Sequence, residues 1–416
     1  MSQAGADISK GSETRFHWPS ALQLFLAILA IIFSWLLATI SLASAAIEIV
    51  SGNEDWLETA GLFLSAAGSF SIGIVLIPPG WLALMRLLGR NVRLPVWIEN
   101  TGKWIQRFSP FLFILLLLIG AFASQGGGSN WLLLAPVHVV AVGIVVAWLI
   151  GLATSKLRQQ STQLQWGAFS SGLTLSPFLA LGAEIVVLVL FILLGMFYLG
   201  TQPELLGELQ GFLNQGTFDN TDPEILLPAF EPLLSDPILL ILVLGFVSVA
   251  VPLIEELVKP VAVVLLLGRD LRPADGFVLG ALGGAGFAVF EYLTLGASLE
   301  SWLPIFSARV GTTAVHMFSA GLVGWAIVEA KVNKRYLLLL GSYALSVLLH
   351  GLWNSMAVLG SFATLSSLSG ASLLPSHLIF SSWLVLFVLA VGSVWLLRKS
   401  NLRLQLTNQK EISIRE

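Results

Sequence analysis

The sequence predicts an all-α, polytopic transmembrane helix bundle of about ten spans with both termini cytoplasmic. Three observations carry this. The chain has 416 residues, of which 56% are hydrophobic and 11% charged, where a soluble domain carries about 25% charged residues. Its mean hydropathy is +0.87. Many apolar runs exceed the ~20 residues that cross a ~30 Å hydrocarbon core, and the alternating strands of a β-barrel are absent. Such a chain is a multi-pass protein of the cell membrane.

The spans fall at roughly 22–47, 59–85, 109–124, 131–154, 174–199, 237–267, 276–297, 305–330, 337–360 and 377–397. The sixth is too long for one straight crossing, and Pro252 predicts a kink just before Glu255. The first ends near Ala43-Ser44-Ala45, which mimics a signal-peptidase site, but its apolar run is longer than a signal peptide's core, so it reads as a retained anchor.

Basic residues sort by side. Lys10 and Arg15 precede span 1. Arg86, Arg90, Arg93, Lys103 and Arg107 fall between spans 2 and 3, and Lys156 and Arg158 follow span 4. Arg269 and Arg272 follow span 6, Lys331, Lys334 and Arg335 follow span 8, and Arg398, Lys399, Arg403, Lys410 and Arg415 lie in the C-terminal tail. With ten spans all share one face, which the positive-inside rule makes cytoplasmic. Residues 88–108, with Trp97 and Trp104 among basic side chains, read as an interfacial segment on that face. The opposite face has its main loop at 201–236, with Glu204, Glu208, Asp219, Asp222, Glu224, Glu231 and Asp236 and no basic residue. This divides the chain into an accessory N-terminal membrane region (1–200), an acidic external loop (201–236), a second membrane domain (237–397) and a cytoplasmic tail (398–416).

Cysteine is absent, which excludes disulfides, thiolate metal sites and a cysteine nucleophile. The net charge of −3 points to no nucleic-acid partner. In the first five spans Glu184 and His138 stand alone and read as side chains bonded to a neighbouring helix.

Spans 6–9 differ. Span 6 holds Glu255, Glu256 and Lys259, span 7 Glu291, span 8 Arg309 and His316, and span 9 His350 and Asn354. At ~1.5 Å per residue, Glu255 and Glu256 lie about 17–18 Å from the cytoplasmic ends of their spans. Glu291 and His316 lie about 21–22 Å in, His350 about 20 Å and Asn354 about 25 Å. Consecutive spans thus place their polar groups in one layer, and ionisable residues at bilayer depth are costly and usually functional. Lys259 is three and four residues from the two glutamates, and His350 and Asn354 are four apart, so each set shares a helix face. Gly276, Gly280 and Gly284 form a small-residue stripe that lets helices approach closely.

A buried carboxylate near histidine can act as general base toward water. His and Asn side chains can donate to a developing oxyanion. These are the parts of a hydrolase working without a covalent intermediate. Glu and His also form a zinc donor set, for which Glu256, Glu291, His316 and His350 are the candidates, although HExxH is absent.

Glu255-Glu256-x-x-Lys259, Gly286-Phe287-Ala288-x-x-Glu291, Arg309-x6-His316 and His350-x-x-Trp353-Asn354 together resemble the PrsW family of intramembrane proteases. That family is distantly related to the CAAX prenyl endopeptidases and to the APH-1 subunit of γ-secretase. The resemblance implies site-1-type cleavage of a membrane-anchored protein, an anti-sigma factor for the family's namesake. It implies Glu255 as base with Glu256 supporting, His316 assisting, His350 and Asn354 as oxyanion donors and Glu291 as a second acid. Lys259, Arg309 and Tyr292 are supporting residues. Tyr292 departs from the family, which commonly has Asn there. The favoured mechanism needs no cofactor; zinc is the alternative. An ion-coupled transporter and a non-catalytic scaffold like APH-1 are the competing functions.

Overall fold

The computed structural model describes residues 17–52, 56–90, 96–125, 130–157, 160–214, 235–294, 302–368, 375 and 377–415. Lys10, Arg15, Arg93, Arg158 and the acidic stretch with Asp219, Asp222, Glu224 and Glu231 lie outside these residues. Among the described residues the secondary structure is helical throughout, with no strand, and ten helices are long and apolar enough to cross a membrane.

In chain order the helices are α1 (Trp18–Ser51), α2 (Trp56–Leu87), α3 (Val96–Ser124), α4 (Leu134–Thr154), α5 (Thr162–Leu173), α6 (Leu175–Leu199) and α7 (Pro203–Asn214). They continue with α8 (Pro237–Gly245), α9 (Val251–Val258), α10 (Val261–Leu265), α11 (Pro273–Thr294), α12 (Trp302–Asn333), α13 (Tyr336–Leu368) and α14 (His377–Arg415). Helix is what an apolar chain in lipid must form, because only a helix satisfies its own backbone polar groups. The ends are capped by chemistry legible in the sequence. Asp236 accepts from the backbone N–H groups of Ile238 and Leu239 at 2.9 Å each, ahead of Pro237 at the first helical position. Those N–H groups, Leu239 first, hold the Asp236 carboxyl below the usual carboxylate range. Gly52 closes α1 in the left-handed region, φ 72°.

The bundle is organised around α11, which is buried along nearly its whole length. Its glycines explain how. A Cβ on Gly276, Gly280 or Gly284 would run into the backbone carbonyls of Gly324, Ala320 and His316 on α12. On another face, a Cβ on Gly283 would crowd the Lys259 carbonyl, and one on Gly286 the Phe169 carbonyl of α5. The predicted stripe therefore packs α11 on α12, and a second pair of glycines packs it on α5 and the broken sixth span.

That span is broken twice. A π-helical turn at Phe246–Ala250 separates α8 from α9, with Val251 N–H donating to the Phe246 carbonyl. Pro252 has no N–H and cannot continue the ladder, so the widened turn falls where the kink was expected. The second break follows Lys259, where Pro260 stops α9 and α10 restarts with Val263 N–H on the Pro260 carbonyl at 2.8 Å. The fifth span also begins earlier than expected. α5 meets α6 at Thr174, whose backbone leaves the helical region (φ −124°, ψ −66°).

The basic segments meet at one end. His17, Arg86, Gln163 and Arg269 line a common cavity. Lys331 donates to the carbonyls of Leu267 and Arg269, and Gln405 to that of Ser155. Arg86, Arg269 and Lys331, which the charge sorting assigned to one side, thus lie at one end of the bundle.

Helix propensity favours alanine over glycine by about 0.5–1 kcal/mol, which gives the glycine packing a test with opposite signs. Gly280→Ala should lower the melting temperature in detergent, because overpacking against a backbone carbonyl costs about 1–3 kcal/mol. Gly341→Ala, with nothing within 4 Å of its new methyl, should be neutral or slightly stabilising.

Candidate active site

Lys259 sits at the C-terminal end of α9, in αR conformation, because Pro260 ends the helix there. Its stem therefore projects into the space where α9, α11, α12 and α13 converge. The ammonium is fully buried. It donates to Glu256 Oε1 at 2.6 Å and to His316 Nδ1 at 2.8 Å, and lies 2.9 Å from Glu255 Oε2 and 3.3 Å from His350 Nδ1. The Phe287 ring, 4.7 Å away, covers it. One cation thus meets both glutamates and both histidines that the sequence placed at one depth.

These bonds fix both imidazoles. His316 accepts from Lys259 on Nδ1, so its proton is on Nε2, which donates to Glu291 Oε2 at 3.0 Å. Arg309 donates to the same carboxylate oxygen at 3.2 Å. His350 Nδ1 lies 2.9 Å from Glu256 Oε1, and a carboxylate only accepts, so Nδ1 carries the proton. His350 Nε2 is then a bare acceptor, 3.7 Å from Glu255 Oε2. Glu255 Oε2 is buried and makes no hydrogen bond: it is at ion-pair distance from Lys259 but off hydrogen-bond geometry. Two acceptors face each other across a gap that needs a donor or a cation between them. Glu256 is sealed at 0% exposure, whereas Glu255 retains 6%.

Asn354 lies one turn beyond His350 on α13 but its amide is not in this cluster. Its Nδ2 donates to the Val247 carbonyl at 3.0 Å. In the π-helical register residue 252 would be that carbonyl's donor, and proline has none, so Asn354 supplies the missing bond and pins the kink. Its second amide proton stays available. Tyr292 turns away from Glu291: its hydroxyl donates to the Phe306 carbonyl at 2.7 Å. It belongs to a separate support with His138, which accepts from Trp302 Nε1 at 3.2 Å and contacts the Tyr292 carbonyl at 3.3 Å. His138 is thus a satisfied structural histidine.

Sequence reasoning missed two contributors. Ser176, at the start of α6, donates to the Val258 carbonyl at 2.9 Å, satisfying an orphan acceptor at the end of α9. Glu184, two turns further on, reaches the electrostatic field of Glu255, Glu291 and Lys259, and its Oε1 is buried without a hydrogen bond. Its acidity inside an apolar helix was the available signal, but a lone residue gives no register.

Paired carboxylates, a lysine and two oriented imidazoles thus meet inside membrane-length helices. Residues 239–391 match the model of the PrsW family intramembrane metalloproteases. The matched stretch contains every residue of the cluster except Glu184, and the ten membrane-length helices make the chain a multi-pass integral membrane protein. Comparison with curated proteins and with solved structures returned no match.

The family's description raises a metal. Glu255, His316 and His350 are buried and offer ligand atoms within 4.8 Å of one another. One carboxylate and two imidazoles suit zinc. This trio has Glu255 where the set expected from sequence had Glu256 and Glu291; within it both ring nitrogens of His316 are already engaged, Nδ1 by Lys259 and Nε2 by Glu291, so a metal would have to displace one of them.

Lys259→Met should destabilise the protein by about 3–5 kcal/mol, because it leaves buried carboxylates without their cation; adding Glu256→Gln should recover part of the lost melting temperature. Asn354→Ala should cost about 1–3 kcal/mol by orphaning the Val247 carbonyl. Pro252→Ala restores a backbone donor, so Asn354→Ala should cost clearly less in the Pro252→Ala background; additive losses would refute the assignment.

Proposed function

We infer that the chain is an intramembrane endopeptidase that hydrolyses a peptide bond of a membrane-anchored protein, with Glu255 activating the water. The observation that carries this reading is the buried, hydrogen-bond-free Glu255 Oε2 facing the unprotonated Nε2 of His350 at 3.7 Å. Water has the two O–H groups that such a pair of acceptors requires. Glu255 takes one proton as the water oxygen bonds to the scissile carbonyl carbon. The tetrahedral oxyanion then collapses, the C–N bond breaks, and the proton on Glu255 passes to the leaving amine nitrogen.

The other residues act around that transfer. Glu256 holds His350 in the tautomer that leaves Nε2 bare, and Lys259 in turn holds Glu256. Glu291 and Arg309 fix His316, whose Nδ1 in turn anchors Lys259. The second amide proton of Asn354 is a donor for the oxyanion. The fixed charges already surround the reacting atoms, so little reorganisation accompanies the reaction.

The Glu255, His316 and His350 trio favours a second reading, in which these residues hold a zinc ion. Such an ion supplies Lewis-acid polarisation, and Lys259 would then tune the ligands' charge.

The decisive experiment is cleavage of a single-span substrate by the reconstituted protein. Glu255→Gln should lose about 10²–10⁴-fold in rate, the usual contribution of a general base, while melting near the wild-type temperature. Unchanged cleavage would overturn the assignment. Activity that survives a chelator supports the metal-free route; loss reversed by added zinc moves the function to the second reading.

A further inference from the structure

Away from the catalytic cluster, a cavity of about 420 Å³ opens at the basic end of the bundle, between α1, α2, α5, α6 and α10. It is within the size range of small-molecule sites. Its chemistry is divided. The outer part is formed by helix ends: His17 before α1, Arg86 at the end of α2, Gln163 in the first turn of α5 and Arg269 beyond α10. The inner wall is apolar and includes Leu26, Leu76 and Leu265. Leu76 lies ten residues before Arg86 on one helix, so the wall extends about 15 Å inward at ~1.5 Å per residue.

The outer part is positively charged without compensation. Neither Asp nor Glu is among the described residues lining it, and neither Arg86 nor Arg269 forms an ion pair with a described residue. Arg269 donates to His17 Nε2 at 3.3 Å. Burial, then Arg86 and Arg269, push the His17 imidazole below its usual range, so it stays neutral and the charge is that of two guanidiniums. Two helix N-termini, those of α1 and α5, add their partial positive charge at the same place.

We propose that this cavity binds an anionic phospholipid, its phosphate between Arg86 and Arg269 and one acyl chain along the apolar wall. A free phosphate would fill only the outer part, and a zwitterionic lipid would bring a third cation to a site that already holds two. Basic pockets between transmembrane helices at the anionic leaflet take such headgroups, and bidentate guanidinium–phosphate bonds suit them. The bound lipid braces α10, which begins two residues after Lys259, and so steadies the segment that carries the buried cation. Lipid binding does not depend on the catalytic reading, and its test reads no proteolysis.

The test is thermal unfolding of the full chain in detergent with added phosphatidylglycerol, phosphatidylcholine or glycerol phosphate. Phosphatidylglycerol should raise the melting temperature by a few degrees, as linkage to a ligand of the folded state requires, and well beyond the other two. The double variant Arg86→Gln/Arg269→Gln should lose most of that difference, and Leu26→Trp, which fills the apolar wall, should also reduce it. Arg398→Gln/Lys399→Gln, basic residues that do not line the cavity, should retain it. Equal effects of the two lipids would overturn the proposal. So would a preference that persists in both cavity variants, or one that Arg398→Gln/Lys399→Gln removes as fully. An effect of glycerol phosphate equal to that of the lipid would replace it with a free-anion site.

Discussion

The buried ammonium of Lys259 is the interaction on which the rest depends. Two carboxylates in a bilayer-depth core repel each other and carry a desolvation cost of several kcal/mol each. A single cation at 2.6 Å from one and 2.9 Å from the other makes the pair tenable. The same cation donates to His316 and so determines its tautomer, which aligns Glu291 and, through it, Arg309. Three carboxylates and two basic side chains thus meet in one cluster. Among them Glu255 Oε2 is buried without a hydrogen bond, on a residue that keeps 6% exposure.

Holding a lysine there requires a broken helix. In an unbroken span, the residues after Lys259 would continue along α9. Pro260 stops the helix and Pro252 opens a π-helical turn before it, leaving an eight-residue helix between the breaks. Each break frees a backbone acceptor, and each acceptor found a partner from another span: Asn354 for Val247, Ser176 for Val258. Irregular backbone at membrane depth is tolerated only where protein satisfies it. Asn354 therefore acts on the centre through the backbone as well as being one turn from His350.

The ten spans were legible because hydropathy over about 20 residues is a one-dimensional signal. The shared depth of Glu255, Glu256, Glu291, His316 and His350 was legible because rise per residue is fixed in a helix. What the sequence could not supply is rotation and sharing. Depth puts Tyr292 beside Glu291, but its ring faces α12 and the His138 support, since neighbouring residues on a helix diverge by about 100°. The choice between Glu255 and Glu256 as the free carboxylate rests on which one Lys259 and His350 jointly occupy, a three-body matter that pair spacing does not encode. α5 lies before residue 174, where the fifth span was expected to begin, and its Gly172 packs against Gly283 of α11, a contact that hydropathy does not encode.

The N-terminal spans lie outside the family match, yet they are part of how the centre is built. α5 presses on the glycine face of α11, α4 supports Tyr292 and Trp302 through His138, and α6 contributes Ser176 and the carboxylate of Glu184. The Oε1 of Glu184 is buried there without a hydrogen-bond partner. A fifth span that shapes both the backbone and the field of the centre is more than a membrane anchor. The centre is thereby built in part from outside the four helices that carry the motif.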